Sequence, residues 1–130
     1  MANVLIVDDD GPFRETLRLA LEERGYTAVP VTNGATALEL LRAIELPHVV
    51  LLDLHMPELD GMGVLQAVYD GDSTLARHTY ILLTADQNRL DEIRRSPLAS
   101  VPVETVLKPF LLNTLYESVA QAMRHLTAAN

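Results

Sequence analysis

The stretch that decides the fold is residues 48–57, with the sequence HVVLLDLHMP. Four branched apolar residues in succession, 49–52, predict a strand that is covered on both faces. The strand runs directly into Asp53, and the Met56-Pro57 pair that follows cannot continue it. An ionised carboxylate at the end of a buried strand costs free energy unless another group compensates its charge. The function of the chain therefore depends on which groups lie beside Asp53.

Strand-like and helical segments alternate along the whole chain. Short apolar runs predict strands at residues 4–7, 27–31, 49–52, 80–83 and 105–107. Apolar residues at helical spacing predict helices that begin near residues 12, 34, 61, 87 and 112. Residues 70–73 form a polar break, residues 96–103 are predicted to be irregular, and Pro30 places the second strand at an edge. This alternation is typical of the α/β class, a doubly wound parallel five-stranded sheet with helices on both faces.

The composition restricts the class of protein. A length of 130 residues predicts a single domain over residues 1–130, and the net charge of −8 argues against a surface that binds nucleic acid. The absence of cysteine excludes disulfides and fits a reducing compartment. No apolar run approaches the roughly 20 residues of a membrane-spanning helix, and the N-terminus lacks a signal-peptide pattern. We therefore expect a cytoplasmic domain that binds neither nucleic acid nor membrane.

Polar residues follow four of the five predicted strands, where each strand ends. The first strand leads into Asp8 and Asp9, the third into Asp53, the fourth into Thr84 and the fifth into Lys108. Ligands of open parallel sheets bind beyond the carboxyl ends of the strands, so these side chains are predicted to form one site. Lys108 is also the only lysine among the ten basic residues of the chain.

These residue types favour phosphoryl transfer. Clustered carboxylates repel one another, and hard oxygen ligands with room for water favour Mg²⁺. A lysine ammonium is a compact charge suited to phosphate, and an aspartate can act as a nucleophile. Together with a hydroxyl group, these are the components needed to transfer a phosphoryl group to an aspartate.

The motifs that carry these residues resemble the receiver domain of two-component response regulators, over essentially the whole chain. They are Val7-Asp8-Asp9-Asp10, residues 52–61 (LDLHMPELDG), Leu83-Thr84-Ala85 and Lys108-Pro109-Phe110. The resemblance implies a flavodoxin-like (βα)5 fold with strand order 2-1-3-4-5. It also implies a cis peptide bond between Lys108 and Pro109, a bond type in which the cis form costs little.

By the same resemblance, Asp53 accepts a phosphoryl group from the phosphohistidine of a histidine kinase. Thr84 would hydrogen-bond the phosphoryl oxygens, and Lys108 would pair with them. The chain would be a phosphorelay switch that catalyses only its own phosphotransfer and dephosphorylation, and would not be an enzyme in the usual sense. The implied partners are a sensor histidine kinase or phosphotransfer protein, a downstream effector or an output domain, and a second copy in a homodimer.

The resemblance further implies a Mg²⁺ site. Asp9, Asp53 and the backbone carbonyl of His55 would bind the ion, and Asp8 would act through a metal-bound water. The side chain of His55 is predicted to lie at the rim of the site, where it could modulate dephosphorylation.

Other polar residues have simpler interpretations. Asp10 and Asp60 each precede a predicted helix, so both are expected to act as helix caps. Three histidines are interpreted as ordinary surface residues: His48, His78 and His125.

Two departures from the family keep an alternative open. Thr105 and Val106 occupy positions where receivers often have Tyr or Phe, and residues 97–102 replace the usual Gly-Ala pair. The alternative is a receiver-like interaction module that is not phosphorylated. An aspartate-nucleophile phosphatase is disfavoured, because it needs an acid where the chain has His55.

Overall fold

The computed structural model describes residues 3–56 and 59–128. Its strands are β1 (Asn3–Val7), β2 (Thr27–Val31), β3 (Val49–Asp53), β4 (Thr79–Thr84) and β5 (Val103–Leu107). Its helices are α1 (Gly11–Glu23), α2 (Gly34–Ala43), α3 (Gly61–Tyr69), α4 (Ser73–Ala76), α5 (Gln87–Arg94), a 3-10 helix (Pro97–Ser100) and α6 (Leu112–Ala128). Pro57 and Glu58, which belong to the motif after Asp53, lie outside the described residues.

The strands form one parallel sheet in the order β2-β1-β3-β4-β5, as predicted. The strand with Pro30 lies at an edge, also as predicted, and β1 and β3 lie side by side in the interior of the sheet. Because the strands are parallel, their carboxyl ends form one row along the same side of the sheet. We call this row of strand ends the carboxyl edge and the row of amino ends the amino edge.

The sheet is covered on both faces because its strands send alternate residues to two separate apolar clusters. Leu5, Val50 and Leu82 pack in one cluster with side chains of α2, α3 and α5. Val4, Leu51 and Ile81 pack in the other with side chains of α1 and α6. All five residues of β3 are buried, which confirms the prediction from residues 49–52.

Helix caps bring the loops of the carboxyl edge into defined positions. The Asp10 carboxylate accepts a hydrogen bond from the backbone N–H of Phe13 (3.2 Å), and the Asp60 carboxylate accepts one from that of Gly63 (3.0 Å). Both predicted caps are therefore confirmed. The start of α3 also packs tightly on β3, since a side chain at Gly61 would lie 2.5 Å from the Asp53 carbonyl oxygen.

Two short helical elements were missing from the prediction. Helix α4 follows the polar break, where the Asp72 carboxylate accepts a hydrogen bond from the N–H of Thr74 (2.9 Å) and Leu75 is buried. The 3-10 helix lies in the segment predicted to be irregular and buries Leu98. Both elements are single turns anchored by one buried leucine, which is too short to produce helical periodicity in the sequence.

The interpretation of His48 and His78 as surface residues is wrong. Each is 5% exposed, and the two rings meet edge to face with centroids 5.9 Å apart at the amino edge. The backbone N–H of His48 donates to Nδ1 of His78 (3.0 Å), and Nε2 of His78 bonds the Leu41 carbonyl near the end of α2 (2.9 Å). The end of α2 covers this edge, and sequence periodicity does not reveal that packing. His125 is exposed, as expected.

Candidate functional site

The carboxylates predicted to form the site meet at the carboxyl edge. Asp8 follows β1 and Asp53 ends β3, and these strands are neighbours in the sheet. Asp8 and Asp53 are buried, whereas Asp9 is exposed. One carboxylate oxygen from each of the three residues lies within 4.8 Å of the others. Such a group of hard, negatively charged oxygens fits a divalent cation such as Mg²⁺.

Lys108, the only lysine of the chain, lies beside these acids. Its Nζ lies 3.2 Å from Oδ2 of Asp8 and 3.8 Å from Oδ1 of Asp53. Lys108 directly follows β5, and the predicted cis peptide bond to Pro109 is present. The backbone N–H of Lys108 donates to the Thr84 carbonyl (2.9 Å), which ties the end of β5 to the end of β4.

Thr84 completes the predicted group. Its side chain is buried at the end of β4, and its hydroxyl accepts a hydrogen bond from the backbone N–H of Asp86 (3.0 Å). The hydroxyl proton remains available for an acceptor, because a hydroxyl can accept and donate at once.

The surroundings of Asp53 disfavour the charged form of its carboxyl. Burial is the largest cause that raises the pKa of its carboxyl, and the charge of Asp8 raises it further. Lys108 and the backbone N–H of His55 (3.3 Å from Oδ1) act in the opposite direction, and the net result raises the pKa of Asp53 to about 6. The ionised carboxylate is thus under-compensated by the protein, which favours an added cation.

The loop after β1 is held by two contacts to Asp8. The backbone N–H of Asp10 donates to Oδ1 of Asp8 (2.9 Å), and the Arg14 guanidinium donates to the Asp8 carbonyl oxygen (2.7 Å). These bonds leave Oδ2 of Asp8 directed at Lys108. The acids are therefore positioned by the backbone and by α1.

A cleft of about 540 Å³ opens at this edge, lined by Asp53, His55, Thr84, Ala85, Asp86, Gln87, Asn88 and Lys108. His55 lies at its rim with a side chain that is 54% exposed, and its Nε2 is 2.7 Å from Oδ2 of Asp86. Hydrogen bonds from the backbone N–H of Arg89 and from His55 lower the pKa of Asp86.

Asp86 and Phe13 contribute to the site although sequence reasoning did not single them out. Asp86 caps α5, and its position two residues after Thr84 is the signal that could have located it. The ring of Phe13 lies beneath the Lys108 ammonium, a contact between segments about a hundred residues apart. No local pattern could have indicated that contact.

The sequence matches the family described as response regulator receiver domain over residues 4–120. The chain belongs to this family. Two relatives of the receiver domain are a probable transcriptional regulator, ycf27, of Guillardia theta and the regulatory protein AtoC of Escherichia coli (strain K12). The first is 36% identical over 127 residues, which are 97% of this chain and 47% of the relative. The second is 35% identical over 121 residues, 93% of this chain and 25% of the relative.

Solved structures show the same fold. A CheY-like response regulator receiver domain protein from Methanospirillum hungatei JF-1 superposes with a TM-score of 0.82 at 28% identity, over 98% of each chain. The response regulator protein TrrA of Thermotoga maritima, in complex with Mg²⁺-BeF, gives 0.77 at 29% identity, over 94% of this chain and 99% of that one.

Membership of the family gives the receiver domain a role in phosphorelay signalling. The chain spans about half the length of the ycf27 relative and a quarter of AtoC. Within residues 3–56 and 59–128, none of the helices is long and apolar enough to cross a membrane.

Proposed function

We propose that Asp53 accepts a phosphoryl group from the phosphohistidine of a histidine kinase or phosphotransfer protein, within a single receiver domain over residues 1–130. One observation carries the proposal: Nζ of Lys108 lies 3.8 Å from Oδ1 of Asp53 where that carboxylate faces an open cleft. Asp53 thus has a phosphate-binding cation beside it and space in front of it.

In the proposed step, a carboxylate oxygen of Asp53 attacks the phosphorus atom of the donor. A P–O bond forms as the P–N bond to the donor imidazole breaks, and the electron pair of that bond stays on the imidazole nitrogen. Negative charge on the transferring oxygens is then stabilised by the Lys108 ammonium and by a hydrogen bond from the Thr84 hydroxyl. Both groups are held by adjacent strand ends, so little reorganisation is needed.

The residues that would hold Mg²⁺ are Asp9, Asp53 and the backbone carbonyl of His55, with Asp8 acting through a bound water. The separation of at most 4.8 Å between the three carboxylates supports this assignment, as does the raised pKa of Asp53. The ion would supply the positive charge that lets the acids stay ionised beside incoming phosphoryl oxygens.

The proposed output is a switch and not turnover of a separate substrate. Phosphorylation would alter binding to a downstream effector, an output domain of a longer chain, or a second copy. His55 at the rim would modulate dephosphorylation. The location of the protein in the cytoplasm stays a prediction.

Phosphorylation of Asp53 is tested by incubation with acetyl phosphate and Mg²⁺, followed by mass spectrometry. We expect the mass of one phosphoryl group on the wild type and none on Asp53→Asn. Asp10→Asn is the matched control, because it changes an exposed acid near the site and keeps a helix-capping side chain. Labelling of Asp53→Asn at the wild-type level would contradict the proposal.

The Mg²⁺ site gives a second test, which separates the proposal from an interaction module that is not phosphorylated. Thr105, half-buried on β5 where receivers often have an aromatic residue, is the observation that favours such a module. A free Mg²⁺ concentration ten times the Kd of the site should raise the free energy of unfolding by about 1.4 kcal/mol through mass action. Urea unfolding with and without Mg²⁺ measures this, and no change at millimolar Mg²⁺ would favour the module.

A further inference from the structure

The ammonium of Lys108 lies over the ring of Phe13, with Nζ 4.2 Å from the ring centroid. A cation within about 6 Å of an aromatic centroid is attracted by the electron-rich face of the ring, more strongly where water is partly excluded. The Lys108 side chain is 24% exposed, so the ammonium is partly shielded. The contact therefore adds a third group, besides Asp8 and Asp53, that determines the position of Nζ.

The ring of Phe13 is itself held from two sides. Phe13 lies in the first turn of α1, where its backbone N–H is bonded to the capping residue Asp10, and its ring packs against the apolar cluster of α1 and α6. Phe110 meets it edge to face, with centroids 6.1 Å apart and an interplanar angle of 71°. Because Phe110 lies two residues after Lys108, the ring is fixed relative to both α1 and the end of β5.

The three contacts of Nζ differ in what the reaction asks of them. Asp53 becomes covalently modified, and Asp8 is needed for the cation that the acids are proposed to hold. The Phe13 ring takes no part in either event, so it can keep the ammonium in place while both carboxylates change partners. A ring also attracts Lys108 without adding negative charge to a cluster that already raises the pKa of Asp53.

We propose that Phe13 is a positioning residue that directs the Lys108 ammonium toward the phosphoryl group on Asp53 through a cation–π contact. This inference rests on the proposed phosphorylation of Asp53. It assigns to α1 a role in binding the phosphoryl group that involves no direct contact with it.

The first test uses beryllofluoride with saturating Mg²⁺ as the probe for the phosphorylated state, with affinity measured by calorimetry. We expect Phe13→Leu to weaken binding about threefold to thirtyfold, the range set by typical cation–π energies. Phe13→Trp should restore binding, because indole has the strongest cation–π attraction.

The matched control is Tyr116→Leu. Tyr116 also stacks on a cation, with the Arg24 guanidinium 4.0 Å from its ring centroid, and it packs in the same apolar cluster away from Lys108. Its loss should leave beryllofluoride affinity unchanged. An equal loss of affinity in Phe13→Leu and Tyr116→Leu would show an effect of packing alone and overturn the proposal.

A second test separates the charge attraction from packing and does not require Phe13→Leu to fold. The chain has two phenylalanines, so a Phe110→Tyr background leaves Phe13 as the only one. Incorporating phenylalanine with none, one, two or three ring fluorines withdraws electron density from the ring with little change in its shape. We expect affinity for beryllofluoride to fall stepwise with each added fluorine, and a flat series would overturn the proposal. Failure of the wild type to bind beryllofluoride would instead count against phosphorylation itself.

Discussion

The two edges of the sheet both bury ionisable groups, and they treat them in opposite ways. At the amino edge, both ring nitrogens of His78 are bonded, to the backbone of His48 and to the Leu41 carbonyl. At the carboxyl edge, Asp53 faces a cleft with its pKa raised to about 6. The bonds of His78 are complete within the protein, whereas burial of Asp53 disfavours its charged form.

The difference follows from what each group has to do. A neutral imidazole bonded at both nitrogens locks α2 to the start of β3 and β4, which stabilises the fold. Asp53, the proposed nucleophile, must instead keep an oxygen free to react, and a cost in stability of this kind is common at functional sites. The amino edge and the carboxyl edge are about one strand length apart.

The largest effect should come from removing the satisfied group. His78→Ala leaves the His48 N–H and the Leu41 carbonyl buried without partners and opens a cavity, so we expect a loss of about 3–4 kcal/mol of unfolding free energy. Urea denaturation measures the change. His125→Ala, on the exposed surface of α6, should change stability by less than about 0.5 kcal/mol. Equal losses in the two variants would show that the buried bonds of His78 add nothing to stability.

A smaller effect of opposite sign is expected at the carboxyl edge. Asp53→Asn removes a charge whose burial is unfavourable. In the absence of Mg²⁺, this substitution should raise the unfolding free energy at pH 7.5 by about 1–3 kcal/mol. Glu23→Gln, a neutralised acid on the exposed end of α1, should lie within about 0.5 kcal/mol of the wild type. Destabilisation by Asp53→Asn would show that the acid is satisfied by Lys108 after all.

The pH dependence gives this second prediction its sign. The pKa of Asp53 rises from 3.8 to about 6 on folding, so the folded protein binds the proton more tightly than the unfolded chain. The stability linked to that proton is present below pH 3.8 and is lost as the pH rises through 6. The advantage of Asp53→Asn should therefore grow between these values and then stay constant. An advantage that shrinks with rising pH would contradict the raised pKa.

The smallest expected difference is in the free energy of local opening of residues 87–103, the segment that joins the two edges. Helix α5 starts beside the cleft and buries only Leu90 and Ile93, whereas β3 is buried throughout. Regions with few buried apolar side chains open at low free energy, so we expect the fastest amide exchange outside the termini here. Exchange followed by mass spectrometry tests this. Protection equal to that of β3 in the unphosphorylated protein would show that the segment is as stable as the sheet.

The sequence predicted the features that depend on local patterns. Alternating apolar runs indicated the strands, and Asp10 and Asp60 indicated helix starts. The polar residues after four of the five strands indicated where the site lies. These succeed because periodicity, capping and chain direction act over a few residues. The single turns of α4 and of the 3-10 helix escaped prediction because they are shorter than the period that reveals a helix.

By itself, then, the sequence determined that Asp53, two more acids, a hydroxyl and one lysine would share the carboxyl edge of a parallel sheet. Only the tertiary structure decided that Phe13 lies under Lys108, that Asp86 pairs with His55, and that His48 and His78 are buried. Each of these contacts joins segments from different elements, so its existence depends on how helices pack on the sheet. The position of Asp53 can thus be predicted from the local sequence, whereas the contacts that surround it depend on how the helices pack on the sheet.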